Sequence, residues 1–274
     1  MKALRPTAGL DALFPPGTVL APRTSLDHMR WVYGEPYRPD SATGFTMAVM
    51  GGMPLICHRA TATPEGLEFF RRCGIQPPAR LDVYADEAEF IAAARDHLRR
   101  GKRLAYIYPP LAELDREPGL LVPPPLYGWL NDKTSLADLV DDCWRPAYRY
   151  LRPADLHRLP DALPDREVFV KACHAGASGS GTDVRHCPDA VSREAAIAWL
   201  APRLGELSGV LVEEAVPVRT CWCLNLTVLD HGVRYLGAAA QLFSAPALQS
   251  GSLIDPDDLP PERSRRPGGG RKSV

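Results

Sequence analysis

The chain has no long apolar run. Its longest, Gly44 to Cys57, is broken by Gly51, Gly52 and Pro54, and crossing a bilayer takes about 20 consecutive apolar residues. Residues 1–20 lack the continuous apolar core of a secretory signal. Neither sign of charge dominates, because 32 Lys and Arg stand against 33 Asp and Glu for a formal net charge of -1. No overall field therefore draws the protein to nucleic acid or to a membrane surface, and neither is expected as a partner. The seven cysteines include no Cys-x2-Cys pair and no spacing typical of small secreted domains. An odd set of this kind fits a reducing compartment, so no disulfide is expected and the cytoplasm is the expected location. Two familiar phosphate-binding signatures are missing as well. No lysine follows the one glycine-serine loop, as a P-loop requires, and that loop follows its lysine strand where a kinase-type loop would precede it.

What is present is a globular composition, 45% hydrophobic and 24% charged, enough for one large or two modest domains. The 28 prolines are roughly twice ordinary usage and imply numerous stiff connections. Residues 1–45, with Pro15, Pro16, Pro22, Pro36 and Pro39, read as an irregular lead-in. From there a β-α-β-α-β order emerges over 46–125. Pro54–Cys57 forms a short strand, and Thr63 caps a helix with Pro64 in its first turn and Gly74 beyond its end. Asp86 and Glu89 have capping-box spacing for a second helix carrying Phe90, Ala94 and Leu98 on one face, between strands near Leu81–Tyr84 and Arg103–Tyr108. Such alternation implies a parallel sheet. A proline-rich connector, Pro118 to Pro125, leads to a second domain at 126–255. It contains a helix after Lys133, a strand through Lys171, a return strand near Thr182–His186, a helix through Leu207 kinked at Pro202, a strand Gly209–Glu214, and a hairpin turning at Asp230-His231-Gly232. Residues 256–274 have almost no apolar content and read as a disordered tail or as a chain whose natural C-terminus has been lost.

The chemistry concentrates around Lys171. Val168 to Cys173 is a β-branched run that enters Gly176-Ala-Ser178-Gly179-Ser180-Gly181. Closely spaced glycines let consecutive backbone N–H groups point at an anion, and the lysine supplies a mobile charge. Taken alone, the loop also reads as a plain hairpin turn. Zinc-type donors occur at Cys173-His174 and His186-Cys187, but adjacent strand residues point to opposite faces, so the four could hardly converge. Cys221 and Cys223 share a strand face and read as buried thiols.

Four features follow in one order: Lys133 at a helix start, Lys171 on a strand, the loop Gly176–Gly181, and Val212-Glu213-Glu214 at a strand end. Together they resemble the ATP-grasp family. The resemblance implies an α/β chain of α+β grasp lobes, with a small parallel pre-grasp lobe followed by a partial ATP-grasp domain. It implies ATP and Mg2+ as cofactors. Lys133 and Lys171 would hold phosphates, with Gly176, Ser178, Gly179, Ser180 and Gly181 closing over them, while Val212, Glu213 and Glu214 would contact adenine and ribose. The family phosphorylates a carboxylate, and an amine or other nucleophile attacks the acyl phosphate. Lys171 and Arg219 are then the catalytic candidates, with Arg219, like Arg234, able to clamp a substrate carboxylate. Leu130-Asn-Asp-Lys133, Leu236-Gly-x3-Gln241 and Gly251–Asp255 are similar to divergent grasp ligases of bacterial natural-product pathways. That narrower likeness implies small-molecule carboxylate and amine substrates, with a carrier protein as a further acceptor.

One departure stands out. The family's late Glu-x-Asn magnesium motif is missing, and after Gln241 only Asp255, Asp257, Asp258 and Glu262 offer carboxylates. The metal ligands therefore stay unassigned, and the alternative expectation is a truncated or non-catalytic nucleotide-binding protein serving a pathway partner.

Overall fold

The computed structural model describes residues 9–24, 39–174, 182–229 and 232–254. The chain divides into two compact units, the first ending at Ala215 and the second beginning at Val216.

The first unit opens with a parallel sheet of β1 (Thr18–Leu20), β2 (Leu55–His58), β3 (Leu81–Tyr84) and β4 (Arg103–Ala105), in the order β3-β2-β1-β4. Two helices connect them, α1 (Pro64–Arg72) and α2 (Glu87–Arg99). Their ends follow the sequence signals. Thr63 Oγ1 accepts from Gly66 N at 3.1 Å, and Gly74 takes the left-handed conformation at φ +74° that ends a helix. Asp86 accepts from Glu89 N at 2.9 Å, while the Glu89 carboxylate reaches back to Ala85 N, one residue before the cap. Alternation along the strands sorts side chains onto two cores. Val19, Ile56 and Leu104 meet Phe90 and Ala94 of α2, and on the other face Leu20, Leu55, Cys57 and Ala105 meet Met47, Met50 and Met53.

The stretch expected to be irregular holds β1, which lies between β2 and β4. Three residues are too few for a period to register, and the neighbouring strands determine that pairing. The strand expected to continue to Tyr108 ends at Ala105.

An antiparallel sheet follows, made of β5 (Tyr148–Leu151), β6 (Val168–Cys173), β7 (Val184–Cys187) and β8 (Gly209–Glu214) in the order β5-β8-β6-β7. Ahead of it come α3 (Pro124–Asn131), a 3-10 turn Lys133–Ser135, and the short α4 (Leu136–Leu139). Helix α5 (Ala190–Leu200), started by a reciprocal Asp189–Ser192 capping box, covers one face. There Val168, Val170, Ala172, Val210 and Val212 pack on Ala196 and Leu200. The expected helix through Leu207 stops being α-helical at Leu200 and continues as a 3-10 stretch, Ala201–Glu206. Pro202 has no N–H to donate, and its ring clashes with the carbonyl four residues back.

The second unit holds a three-stranded antiparallel meander, β9 (Cys221–Leu229), β10 (Gly232–Ala245) and β11 (Leu248–Leu253). Gly237, at φ +154°, takes up a register shift opposite Asn225. Asp230 and His231 of the expected hairpin turn lie outside the described residues. Among those described, no helix is long and apolar enough to cross a membrane.

Candidate functional site

The face of the antiparallel sheet opposite α5 carries the candidate chemistry. On β6 the side chains of Phe169 and Lys171 point away from the core that takes Val168 and Val170. On β8 the residues between the core-facing Val210 and Val212, Leu211 and Glu213, face that side although both are buried. Register then sets the rows, with Tyr148 opposite Glu213 on β5 and β8, Tyr150 opposite Leu211, and Lys171 opposite Leu211 on the other side. From one row away the Lys171 ammonium pairs with the Glu213 carboxylate.

Lys133 reaches the same region from the turn before α4. Asp132 builds that turn, accepting from Thr134 N at 2.9 Å with one carboxylate oxygen and from Ser208 Oγ at 2.5 Å with the other. Ser208 N in turn donates to Cys173 O at 2.9 Å, which ties the turn to the sheet. The Lys133 ammonium pairs with Asp183 and lies 3.4 Å from Ala172 O. The Asp183 side chain is only 2% exposed, with His174 Nε2 at 3.6 Å. Burial alone would raise its pKa, but the neighbouring His174 and the paired Lys133 charge outweigh burial and hold it below the ordinary carboxylate value.

Beside Lys133 and Glu213 lies a cleft of about 330 Å³, bordered also by Arg145, Tyr148, Tyr150 and Leu211. That is at the lower end of ligand-site volumes. Its floor depends on a glycine. The Tyr150 ring lies over Gly209, where a Cβ would come within 2.0 Å of Cε2, and its hydroxyl donates to Ser208 O at 2.5 Å. Arg145 stacks on Tyr148, its guanidinium carbon 4.6 Å from the ring centroid. Hollows of about 740 Å³ along α2 and about 520 Å³ beside Thr18 and Lys102 gather none of the expected site residues.

The expected residues thus separate. Lys133, Lys171 and Glu213 share the open face. Val212 is buried among the core side chains, so its side chain faces away from the cleft, and Glu214 pairs with Arg166. Gly176, Ser178, Gly179, Ser180 and Gly181 lie outside the described residues. Arg219 and Arg234 are exposed in the second unit. Cys187 faces the core while His186 pairs with Glu167. Burial, and next the nearby Asp132 charge, push the Cys173 thiol up to about 12, so it stays protonated at neutral pH. Sequence reasoning missed Asp183, Arg145, Tyr148 and Tyr150. The alternating Tyr148-x-Tyr150 after Pro146 was a usable strand signal, and Asp183 stands two residues beyond Gly181.

Among the described residues, no group of three or more His, Cys, Asp or Glu side chains converges as a metal site. Asp255, Asp257, Asp258 and Glu262, the late carboxylates, lie outside the described residues.

Comparison with known proteins adds two kinds of match. Residues 9–128 match the family model of the L-aspartate–L-methionine ligase N-terminal domain. Over the longer chain, N5-carboxyaminoimidazole synthetase from Staphylococcus aureus, solved with ADP, superposes with a TM-score of 0.53 at 8% identity, covering 90% of this chain and 59% of that one. An ADP complex of N5-carboxyaminoimidazole ribonucleotide synthetase gives 0.54 at 11% identity, covering 91% and 60%. The chain therefore spans about three fifths of the length of these two structures.

Proposed function

The chain has the ATP-grasp fold, and we propose that it is the pre-grasp and nucleotide-binding part of a ligase that joins a carboxylate to an amine at the expense of ATP. The observation that carries this reading is that Lys133 and Glu213 border one cleft on the sheet face opposite α5, with Lys171 paired to Glu213 beside it. In this reading the γ-phosphoryl group passes to a substrate carboxylate oxygen, giving an acyl phosphate and ADP. The amine then attacks the acyl carbon, phosphate leaves, and the nitrogen loses a proton. Oxide is a poor leaving group and phosphate a good one, which is why ATP is needed.

Each residue takes a role its chemistry suits. The ammonium groups of Lys133 and Lys171 screen phosphate charge, and each has three donors, so a lysine can hold its carboxylate and a phosphate oxygen together. Glu213 accepts from a ribose hydroxyl, and the backbone N–H groups of Gly176–Gly181 hold the transferred oxygens. Val212 contributes through its backbone, and Glu214 and Arg166 brace the strand end. Arg219 clamps a substrate carboxylate. The match of residues 9–128 to an amino-acid ligase domain favours two amino acids as substrates over a carrier-protein acceptor.

Thermal-shift titration with ATP and magnesium tests the binding step. A ligand that binds only the folded state adds about 2.7 kcal/mol at a hundredfold excess over Kd. Lys171→Ala is expected to remove most of the shift and Lys133→Ala to reduce it; an unchanged melting temperature in the wild-type chain sinks the reading. Hydroxylamine, which traps acyl phosphates as hydroxamates, tests the chemistry with pooled amino acids. A clear ATP shift without hydroxamate would favour the non-catalytic nucleotide-binding alternative.

A further inference from the structure

Arg145 stands out among the groups lining the cleft. Pro146 holds it extended, at φ -120° and ψ 146°, where the chain leaves a 3-10 turn and enters β5. The Arg145 side chain is only 9% exposed. One end of the guanidinium pairs with the exposed Asp142, and its central carbon lies over the Tyr148 ring. Its Nε is buried with no hydrogen-bond partner. A buried donor without an acceptor is costly, and binding sites are among the places where that cost recurs.

The site has a direction. Lys133 reaches the Ala172 and Asp183 end of the sheet. Tyr148, with Arg145 on it, belongs to the Glu213 row at the other end, beyond the Lys171–Leu211–Tyr150 row. Phosphates drawn to Lys133 leave the base end of a nucleotide at the Arg145–Tyr148 stack. A guanidinium is donor-only and flat. It therefore suits a ligand that is itself flat and presents acceptor atoms at its edge, as the ring nitrogens and carbonyls of nucleobases do. Stacked on a tyrosine, it also extends the platform on which such a ring can lie.

We propose that Arg145, held by Tyr148, is a specificity-determining residue whose guanidinium contacts the nucleobase edge of the bound nucleotide. This inference rests on the nucleotide-binding reading above, and the experiment separates the two. The full 274-residue chain is titrated calorimetrically with ADP and, separately, with inorganic tripolyphosphate, which has charge but no base. Arg145→Ala is expected to weaken ADP binding about tenfold and to leave tripolyphosphate within about twofold. Arg145→Lys keeps the charge without the planar fork and is expected to recover little. Tyr148→Ala, which removes the platform and keeps the cation, should reproduce the same ligand pattern. Lys133→Ala should weaken both ligands. Equal losses of ADP and tripolyphosphate in Arg145→Ala would make Arg145 a general phosphate-attracting cation and overturn the proposal, as would unchanged ADP affinity. A wild-type chain that binds tripolyphosphate no more weakly than ADP would overturn base recognition while leaving phosphate binding intact. A chain that binds neither would sink the nucleotide reading and this inference with it.

Discussion

The two four-stranded sheets of the first unit bury themselves differently. In the parallel sheet both faces are covered, so Leu55, Ile56 and Cys57 are buried in succession although their side chains point to opposite sides. In the antiparallel sheet α5 covers one face, and on the other the strands turn polar side chains inward, Glu213 bordering a cleft and pairing with Lys171. Charge alone does not distinguish them. The parallel sheet has its own buried polar knot, where Arg23 Nε donates to Asp40 at 2.9 Å and Nη1 to Glu87 at 2.5 Å, while Tyr84 also donates to Asp40 at 2.9 Å. There each carboxylate answers a protein donor and the apolar layers continue around it. The site lies on the face opposite α5, where Leu211 and Glu213 are themselves buried but the cover of Thr134, Leu136 and Ala137 leaves a cleft.

If that contrast holds, damage to the parallel sheet should cost stability without changing ligand recognition. Phe90 is fully buried between α2 and the strands, edge-on to Tyr84 at a centroid distance of 5.1 Å. Phe90→Ala should cost about 3–5 kcal/mol in urea unfolding, the range for deleting a buried aromatic ring. ADP affinity measured on the folded fraction should not move. A matching fall in that affinity would break the comparison and make the two sheets one functional element.

A smaller effect separates the sheets by pH. Asp183 and Asp82 are both held below the ordinary carboxylate value against the opposing effect of burial, Asp183 by His174 and Lys133, Asp82 by Arg80 and His97. For a depressed folded-state pKa, the stabilisation is fully present above the unfolded value and is lost as pH falls through the folded value. Acid unfolding should therefore gain steepness below about pH 4 from both sheets. Asp183→Asn should cost about 1–3 kcal/mol at neutral pH, the range for a buried polar group losing its partner, and should flatten part of the acid limb. The remaining slope belongs in part to the Asp82–His97 pair, 2.9 Å apart. An acid limb unchanged by Asp183→Asn would mean that the Lys133 pair contributes nothing to folding.

Much of this organisation was legible in the sequence where the signal is local. Thr63, Pro64 and Gly74 marked one helix, Asp86 and Glu89 another, and the β-branched run around Lys171 is a strand with the lysine on the open face. Signals failed where the determining partner is distant. β1 is three residues long, and only its neighbours make it central. Lys133 finds Asp183 across fifty positions, and Arg145 finds Tyr148 only because Pro146 sets the backbone between them. Val212, Glu213 and Glu214 read as one segment, but strand alternation sends Glu213 to the cleft and Val212 to the core.

The smallest effect concerns the covering helices themselves. Helix α2 lies on the parallel sheet and α5 on the closed face of the antiparallel one, and each starts at an aspartate, with Asp86 accepting from Glu89 N at 2.9 Å and Asp189 from Ser192 N at 2.8 Å. Asp86→Ala leaves an N-terminal amide without its acceptor and should cost about 1 kcal/mol, read as a modest drop in melting temperature with unchanged ADP affinity. Asp189→Ala should likewise lower the melting temperature slightly. Its effect on ADP affinity is the sharper measurement, because Ala196 and Leu200 of α5 pack behind the strands that hold Lys171 and Glu213. Loosening the first turn of α5 leaves those contacts in its last turns intact, so the cleft rows should keep their register and the affinity should stay level. A fall in affinity confined to Asp189→Ala would mean that the covered face positions the open one, and that the sheet acts as a mechanical link between helix and site.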